Sequence, residues 1–277
     1  MKKTHIYLFV LTILNICALS GCSEKNPSDT SLEIAVTNSY LQCAVQDIYG
    51  IQKDVFCLAP PGMCPGHFDI SPSQVNKLSN CRILLLFDFQ EKVESSLAGL
   101  KNNGLKTFLV QTKPGLCIPE TYLETCHEVC KILSSEFPDQ KIQFEQRLTE
   151  ISERLEKLGD NLHTKITDAK LASVKVVSSS HQSDFANWLG LQAISTFAGS
   201  DSETAFNIND CINQAKEQDV KFIIANKQEG TYLADSLADR LNVPVIVFGN
   251  FPESTESSNG FDELLNSNVN AIVKANQ

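Results

Sequence analysis

The sequence is poor in basic residues, with 23 Lys and Arg against 33 Asp and Glu and a formal net charge of -10. Because it has no basic field to attract phosphate backbones, nucleic-acid binding is not expected. A Gly-x-x-x-x-Gly-Lys loop is absent, which excludes a P-loop ATPase, and no Ser-His-Asp frame of known order occurs. Hydrophobic residues make up 42% of the chain, so we predict a folded protein with one large or two modest cores.

The N-terminal apolar stretch is too short for an ordinary transmembrane helix. It covers residues 6–19 behind a start with two lysines, an arrangement typical of a secretory signal. Leu-Ser-Gly-Cys follows at 19–22 and resembles a bacterial lipobox, which predicts acylation of Cys22. A plain signal peptide with a chance cysteine is the alternative. We therefore predict a signal peptide over 1–21 and a polar, lipidated tether over 22–31.

The sequence contains ten cysteines, many for a cytosolic protein. One belongs to the signal and Cys22 is assigned to lipid, which leaves eight: Cys43, Cys57, Cys64, Cys81, Cys117, Cys126, Cys130 and Cys211. Outside the cytosol such residues are disulfides or metal ligands by default, although buried free thiols are also common. Cys57 and Cys81 are disulfide candidates because they lie beside neighbouring predicted strands. Cys126-His127-x-x-Cys130 favours packing or disulfide use over a second metal clamp.

Apolar strand patterns alternate with helical patterns twice along the chain, which predicts an α/β protein with parallel sheets. Between the two halves, a charged segment without internal proline carries apolar residues at three- and four-residue steps from Ile142 to Ile166. This spacing predicts one long amphipathic helix, which Gly159 could bend. We predict two Rossmann-like lobes joined by that rigid helix: an N-terminal lobe over 32–138, a spanning helix over 139–170 and a C-terminal lobe over 171–277.

Three stretches suggest a family. A strand and a Pro-Gly loop lead to His67 and a Pro-Ser turn; a second strand leads to His181, an aromatic residue and Leu-Gly-Leu; a third frame covers 220–247. Over about 32–265 the chain resembles the solute-binding lipoproteins of zinc, manganese and iron ABC importers, the zinc-uptake family of cluster A-I. The resemblance implies the class III periplasmic-binding-protein fold and places His67 and His181 on two metal ligands of the family.

The chain departs from that family at its other ligands. The loop before the helix at Pro119 contains no histidine, and Cys117 is its only soft ligand. The acidic ligand expected after the last strand is missing, since Gly249 and Asn250 follow Phe248. Asn226 occupies an earlier position that is often acidic in the family.

Four residues are the candidate metal ligands: Cys64, His67, Cys117 and His181. Each follows a predicted strand, and ligands of open α/β sheets bind outside the carboxyl ends of strands. Two imidazoles and two thiolates suit Zn²⁺ and would also suit Cu⁺. Mn²⁺ prefers oxygen ligands, so it is a less favoured alternative. A disulfide for Cys64, and a disulfide or a buried thiol for Cys117, remain the alternatives.

The sequence therefore predicts a non-enzymatic, lipid-anchored periplasmic or cell-surface protein. It would bind a transition metal, zinc first, in the interlobe cleft and deliver it to the membrane permease of an ABC importer. The alternatives are a siderophore- or cobalamin-type chelate binder, an adhesin-like surface lipoprotein with a degenerate site, and a zinc hydrolase using Asp69 or Asp184 as its base.

Overall fold

A computed structural model describes residues 33–59, 63, 70–199, 205–253 and 260–277. The signal, Cys22, Cys64, His67 and Asp69 lie outside these residues. The described strands are β1 (Ile34–Val36), β2 (Val55–Cys57), β3 (Ile83–Phe87), β4 (Lys106–Val110), β5 (Lys175–Ser179), β6 (Gln192–Phe197), β7 (Phe222–Asn226) and β8 (Val245–Phe248). The described α-helices are α1 (Ser39–Tyr49), α2 (Pro72–Leu78), α3 (Glu91–Ser96), α4 (Ala98–Asn102), α5 (Pro119–Glu136), α6 (Lys141–Asp168), α7 (Ser183–Trp188), α8 (Ala205–Glu217), α9 (Tyr232–Leu241) and α10 (Gly260–Ala275).

The strands form two four-stranded sheets with the same connectivity. Their orders are β2-β1-β3-β4 and β6-β5-β7-β8, and every neighbouring pair is parallel. Parallel neighbours require crossovers, which the intervening helices provide. We call the first sheet with α1 to α5 the first lobe, and the second sheet with α7 to α10 the second lobe. The predicted α/β class with two parallel sheets is confirmed.

Helix α6 connects the two lobes and runs without interruption through Gly159. Its buried positions follow the predicted spacing: Phe144, Ile151, Leu155, Leu158, Gly159, Leu162 and Ile166. Gly159 faces the second lobe, because a Cβ there would come within 3.4 Å of the Trp188 ring. Ile142, predicted on the buried face, is 73% exposed, whereas Phe144 is fully buried, because residues two apart along a helix face opposite sides. No helix in the described ranges is long and apolar enough to cross a membrane.

Aromatic side chains join the two lobes in one continuous core. Tyr122 of α5 stacks on Phe261 of α10, with ring centroids 3.8 Å apart. Tyr40 of α1 meets Phe261 edge-on at 5.8 Å and Phe251, after β8, at 6.5 Å. All four side chains are buried. The lobes therefore share an apolar interface, so their relative position is set by packing as well as by the connecting helix.

Arg154, in the middle of α6, forms the main charged contact between the lobes. It donates to both carboxylate oxygens of Asp47, at 3.1 and 2.6 Å, and Tyr122 donates to the same carboxylate at 2.8 Å. On its other side the Arg154 Nε atom lies 3.4 Å from Asp262 Oδ1. Burial raises the pKa of Asp262 to about 6, although the Arg154 charge opposes this and the Asp47 charge adds to it.

The raised pKa of Asp262 predicts a pH-dependent stability. The carboxyl group of Asp262 holds its proton more tightly in the fold than in the unfolded chain. Protonated Asp262 therefore stabilises the fold at low pH, and this contribution is lost as pH rises from about 4 to about 6. Asp262→Asn imitates the protonated form. We expect its stability relative to the parent to rise by ~2 kcal/mol between pH 4 and pH 7, measured by urea unfolding at each pH. A difference between variant and parent that does not change with pH would contradict this.

Candidate metal site at the lobe interface

Cys117 lies where the carboxyl ends of β4 and β8 meet. It belongs to the loop between β4 and α5, and it is 1% exposed. Its Sγ atom donates to the Gly249 carbonyl at 3.2 Å and lies 3.6 Å from Asn250 Oδ1. Both partners follow β8, so this thiol of the first lobe is directly bonded to the second lobe. The role of Cys117 as a metal ligand stays a prediction.

Asn268 of α10 fixes the backbone that Cys117 contacts. Its side chain accepts from Gly249 N and donates to Gly249 O, each at 2.9 Å, and its Nδ2 lies 3.9 Å from the Cys117 sulfur. Burial raises the pKa of the Cys117 thiol well above its ordinary range. The sulfur is therefore protonated at neutral pH, and it must lose that proton to bind a metal as thiolate.

Hydrogen bonds between amide side chains connect the Cys117 contact to the interior of the second lobe. Gln182 Nε2 donates to Asn250 Oδ1 at 2.7 Å and lies 3.3 Å from Asn226 Oδ1, at the end of β7. Gln228 Oε1 accepts from the Asn250 backbone N–H at 3.0 Å. Gln182, Asn226 and Asn250 are all at most 3% exposed. Sequence reasoning treated Asn226 and Asn250 only as missing acidic ligands and missed Gln182, whose one signal is its position beside His181.

His181 lies at the exposed end of the same set of residues. It follows β5, and its Nδ1 is 2.9 Å from Glu229 Oε1, with the side chain 61% exposed. Ser179 donates to the other Glu229 oxygen at 2.6 Å, and Asn226 also bonds to this carboxylate. A carboxylate on Nδ1 orients the imidazole with Nε2 as its second donor or ligand atom, as it does around many metal-binding histidines.

The charge on this pair follows from its hydrogen bonds. The bond to Glu229 raises the pKa of His181 above its ordinary value, against the effect of burial. Burial alone would raise the pKa of Glu229, but the bonds from His181 and Ser179 outweigh it and hold that pKa below its ordinary value. Glu229 is therefore a fixed negative charge beside the imidazole, which favours a cation at Nε2.

Cys117 and His181 are thus the two ends of one chain of hydrogen bonds that crosses the lobe interface through Asn250, Gln182, Asn226 and Glu229. In the ranges that the structure describes, no three His, Cys, Asp or Glu side chains converge in a way that could hold a metal ion. Cys64 and His67 lie outside those ranges, so the four-residue ligand set stays a prediction. The described donors that a metal could use are one thiol, one imidazole, the Glu229 carboxylate and several amide oxygens.

The remaining cysteines do not form the pairs that the sequence suggested. Cys57 donates to the Ala59 carbonyl and Cys81 contacts the Lys77 carbonyl, and both are free thiols. The predicted disulfide use of Cys57 and Cys81 is therefore wrong. Cys43, Cys126 and Cys130 are also free and buried, while His127 is exposed. Cys126 and Cys130 lie one turn apart on the buried face of α5, where the two thiols serve packing. His127 lies on the exposed face, away from both.

Comparison with known proteins finds relatives of this chain among metal-transport proteins. The family model described as ZnuA, zinc-uptake complex component A periplasmic, matches residues 117–275, more than half of the chain. This range includes Cys117, His181, Asn226 and Asn250, while Cys64 and His67 precede it.

Two curated relatives are streptococcal. The metal ABC transporter substrate-binding lipoprotein SloC of Streptococcus mutans is 22% identical over 203 residues, which is 65% of this chain and 66% of the relative. The manganese ABC transporter substrate-binding lipoprotein PsaA of Streptococcus pneumoniae is 22% identical over 205 residues, with the same coverage. The chain thus spans just under two thirds of the length of these relatives.

Solved structures share the fold. The Cd-bound periplasmic metal binding protein from Candidatus Liberibacter asiaticus superposes with a TM-score of 0.74 at 18% identity, over 88% of this chain and 99% of the other. A crystal structure of ZnuA gives a TM-score of 0.69 at 19% identity, over 87% and 99%. The architecture of two parallel sheets and a long helix is therefore that of periplasmic metal-binding proteins.

Proposed function

Because the chain belongs to the family of ZnuA, the zinc-uptake complex component A periplasmic, we propose that it is the metal-binding component of an ABC importer. It binds a transition-metal ion between the lobes and presents it to the membrane permease, and zinc is the ion that we propose. Substrate-binding components of ABC importers are transport proteins and catalyse no reaction, so the chain is not an enzyme.

One observation carries the proposal. Cys117 of the first lobe and His181 of the second are joined by hydrogen bonds through Asn250, Gln182, Asn226 and Glu229 at the carboxyl ends of the strands. This is the place where open α/β sheets bind ligands. An ion held there would contact both lobes, so its binding would affect their relative position. Cys64 and His67, in the segment between β2 and α2, complete the proposed ligand set.

Zinc is proposed over manganese because of the donors. A thiolate and imidazoles are soft to borderline ligands that suit Zn²⁺, and also Cu⁺, whereas Mn²⁺ favours carboxylate and other oxygen ligands. The amides of Asn226 and Asn250 stand where the resembling family often has carboxylates, which leaves Glu229 as the carboxylate of the described network. Mn²⁺ remains the ion named for the PsaA relative.

Metal titration of the mature domain tests this function. We expect Zn²⁺ to bind with a stoichiometry of one, to raise the melting temperature and to bind more tightly than Mn²⁺. Calorimetry, elemental analysis after dialysis and thermal unfolding measure these three quantities. A domain that binds neither ion nor Cu⁺ would instead favour an adhesin-like surface protein or a chelate binder.

We also propose that the protein is periplasmic or at the cell surface and is anchored to a membrane by lipid on Cys22. Cys22→Ala removes the acceptor sulfur of the lipobox-like run, so we expect loss of lipid labelling and release of the protein from membranes. Radiolabelled fatty acid incorporation and membrane fractionation measure the two effects, with Cys81→Ala as the cysteine control. Unchanged retention and mass in Cys22→Ala would mean that the segment is not a lipobox.

A further inference from the structure

The amide nitrogen of Gln182 lies among three oxygen atoms at the ends of two strands. Asn250 Oδ1 is 2.7 Å away, Asn226 Oδ1 is 3.3 Å away and the Phe248 carbonyl oxygen is 3.5 Å away. A primary amide has two hydrogens to donate, so three acceptors exceed its capacity. Three oxygens that converge on one point can add to the ligand shell of a cation held by the thiol and imidazole donors of the network.

The other end of the Gln182 side chain is poorly satisfied. The residue is fully buried, yet its Oε1 atom has no hydrogen-bond partner among the described residues. A buried acceptor without a partner costs free energy. The side chain is thus held by the donating nitrogen alone, and turning outwards would relieve the unpaired oxygen. Asn250 itself is fixed independently, since its backbone N–H donates to Gln228.

We propose that Gln182 is an internal competitor for the metal cargo, its amide nitrogen occupying the position of a cation among the oxygens of Asn226, Asn250 and Phe248. This inference rests on the proposed function. Cargo that uses these oxygens binds only when the Gln182 side chain turns out. The amide therefore sets an affinity threshold, and cations that interact weakly with neutral oxygens do not displace it.

Removal of the amide tests the proposal. Gln182→Leu keeps most of the side-chain volume and loses both polar atoms. We expect zinc to bind this variant about fivefold to tenfold more tightly than the parent, because one net hydrogen bond no longer opposes the ion. The probe is ZnCl₂ in competition with a chromogenic chelator, and circular dichroism checks the fold. Gln182→Ala gives a second reading if leucine crowds the interface.

Gln46→Leu is the matched control. Gln46 also has a buried oxygen without a partner among the described residues, but it lies on α1 in a groove with Arg147 and Arg154. We expect its zinc affinity to equal that of the parent.

The inference and the proposed function can fail separately. If the parent binds zinc and both Gln182 variants bind it equally or more weakly, the inference is overturned and the function stands. Weaker binding would identify Gln182 as a ligand. If the variants bind zinc and the parent does not, the inference is supported and the function fails for the parent chain. Binding by none of them overturns both.

Discussion

His181→Ala is expected to weaken zinc binding at least ~100-fold and to abolish the rise in melting temperature that zinc produces. The ring is oriented by Glu229 through Nδ1, which directs Nε2 to a ligand. Loss of a ligand atom costs more than loss of the group that orients it, so Glu229→Gln should show a smaller effect in the same direction. His67→Ala is expected to behave as His181→Ala does.

Chelator competition and thermal unfolding measure these effects. His127→Ala is the control, because His127 is an exposed histidine on α5 outside the network, and its zinc affinity should match that of the parent. If His181→Ala and His67→Ala bind zinc like the parent, the site is elsewhere and the proposed ligand set is wrong.

Arg154→Met is expected to lower the free energy of unfolding by about 3 kcal/mol at neutral pH. The substitution keeps much of the apolar stem but removes the guanidinium between Asp47 and Asp262. Two largely buried carboxylates are then left without their cation, and they repel one another. The loss should shrink at pH 4 and below, where Asp262 is protonated in the fold.

Urea unfolding measures this free energy, and Arg147→Met on the same helix is the control. Arg147 is half-buried and has no ion-pair partner in the part of the chain that the structure describes, so we expect a change within ~0.5 kcal/mol. A loss for Arg154→Met as small as the one expected for Arg147→Met would mean that the charged contact adds nothing and that apolar packing holds the lobes together.

The arrangement of strands and helices could be predicted because each element has a local hydrophobic pattern that is typical of it. Buried parallel strands such as β3 are continuous apolar runs, and α6 repeats its apolar residues at helical spacing. The prediction for Ile142 failed because Ile142 lies only two residues before Phe144, a step that puts it on the opposite face of the helix.

The candidate site was predictable only where a residue type carries a chemical signal. Cys117 and His181 stand out at strand ends, but the residues between them are amides, which sequence reasoning treats as neutral loop residues. Gln182 and Asn250 are separated by 68 positions and meet through the fold of the second lobe. The Arg154 contact was invisible for the same reason, since its partner Asp47 lies 107 positions away on another helix.

The stacking of Tyr122 on Phe261 has a consequence for the order in which the chain can finish folding. Phe261 belongs to the final helix, so the aromatic surface of the first lobe stays uncovered until nearly the whole polypeptide has emerged. Contacts this distant along the chain form slowly. Truncation before Gly260 should therefore uncover the sides of Tyr40 and Tyr122 that contact Phe261 and favour aggregation of the shortened protein.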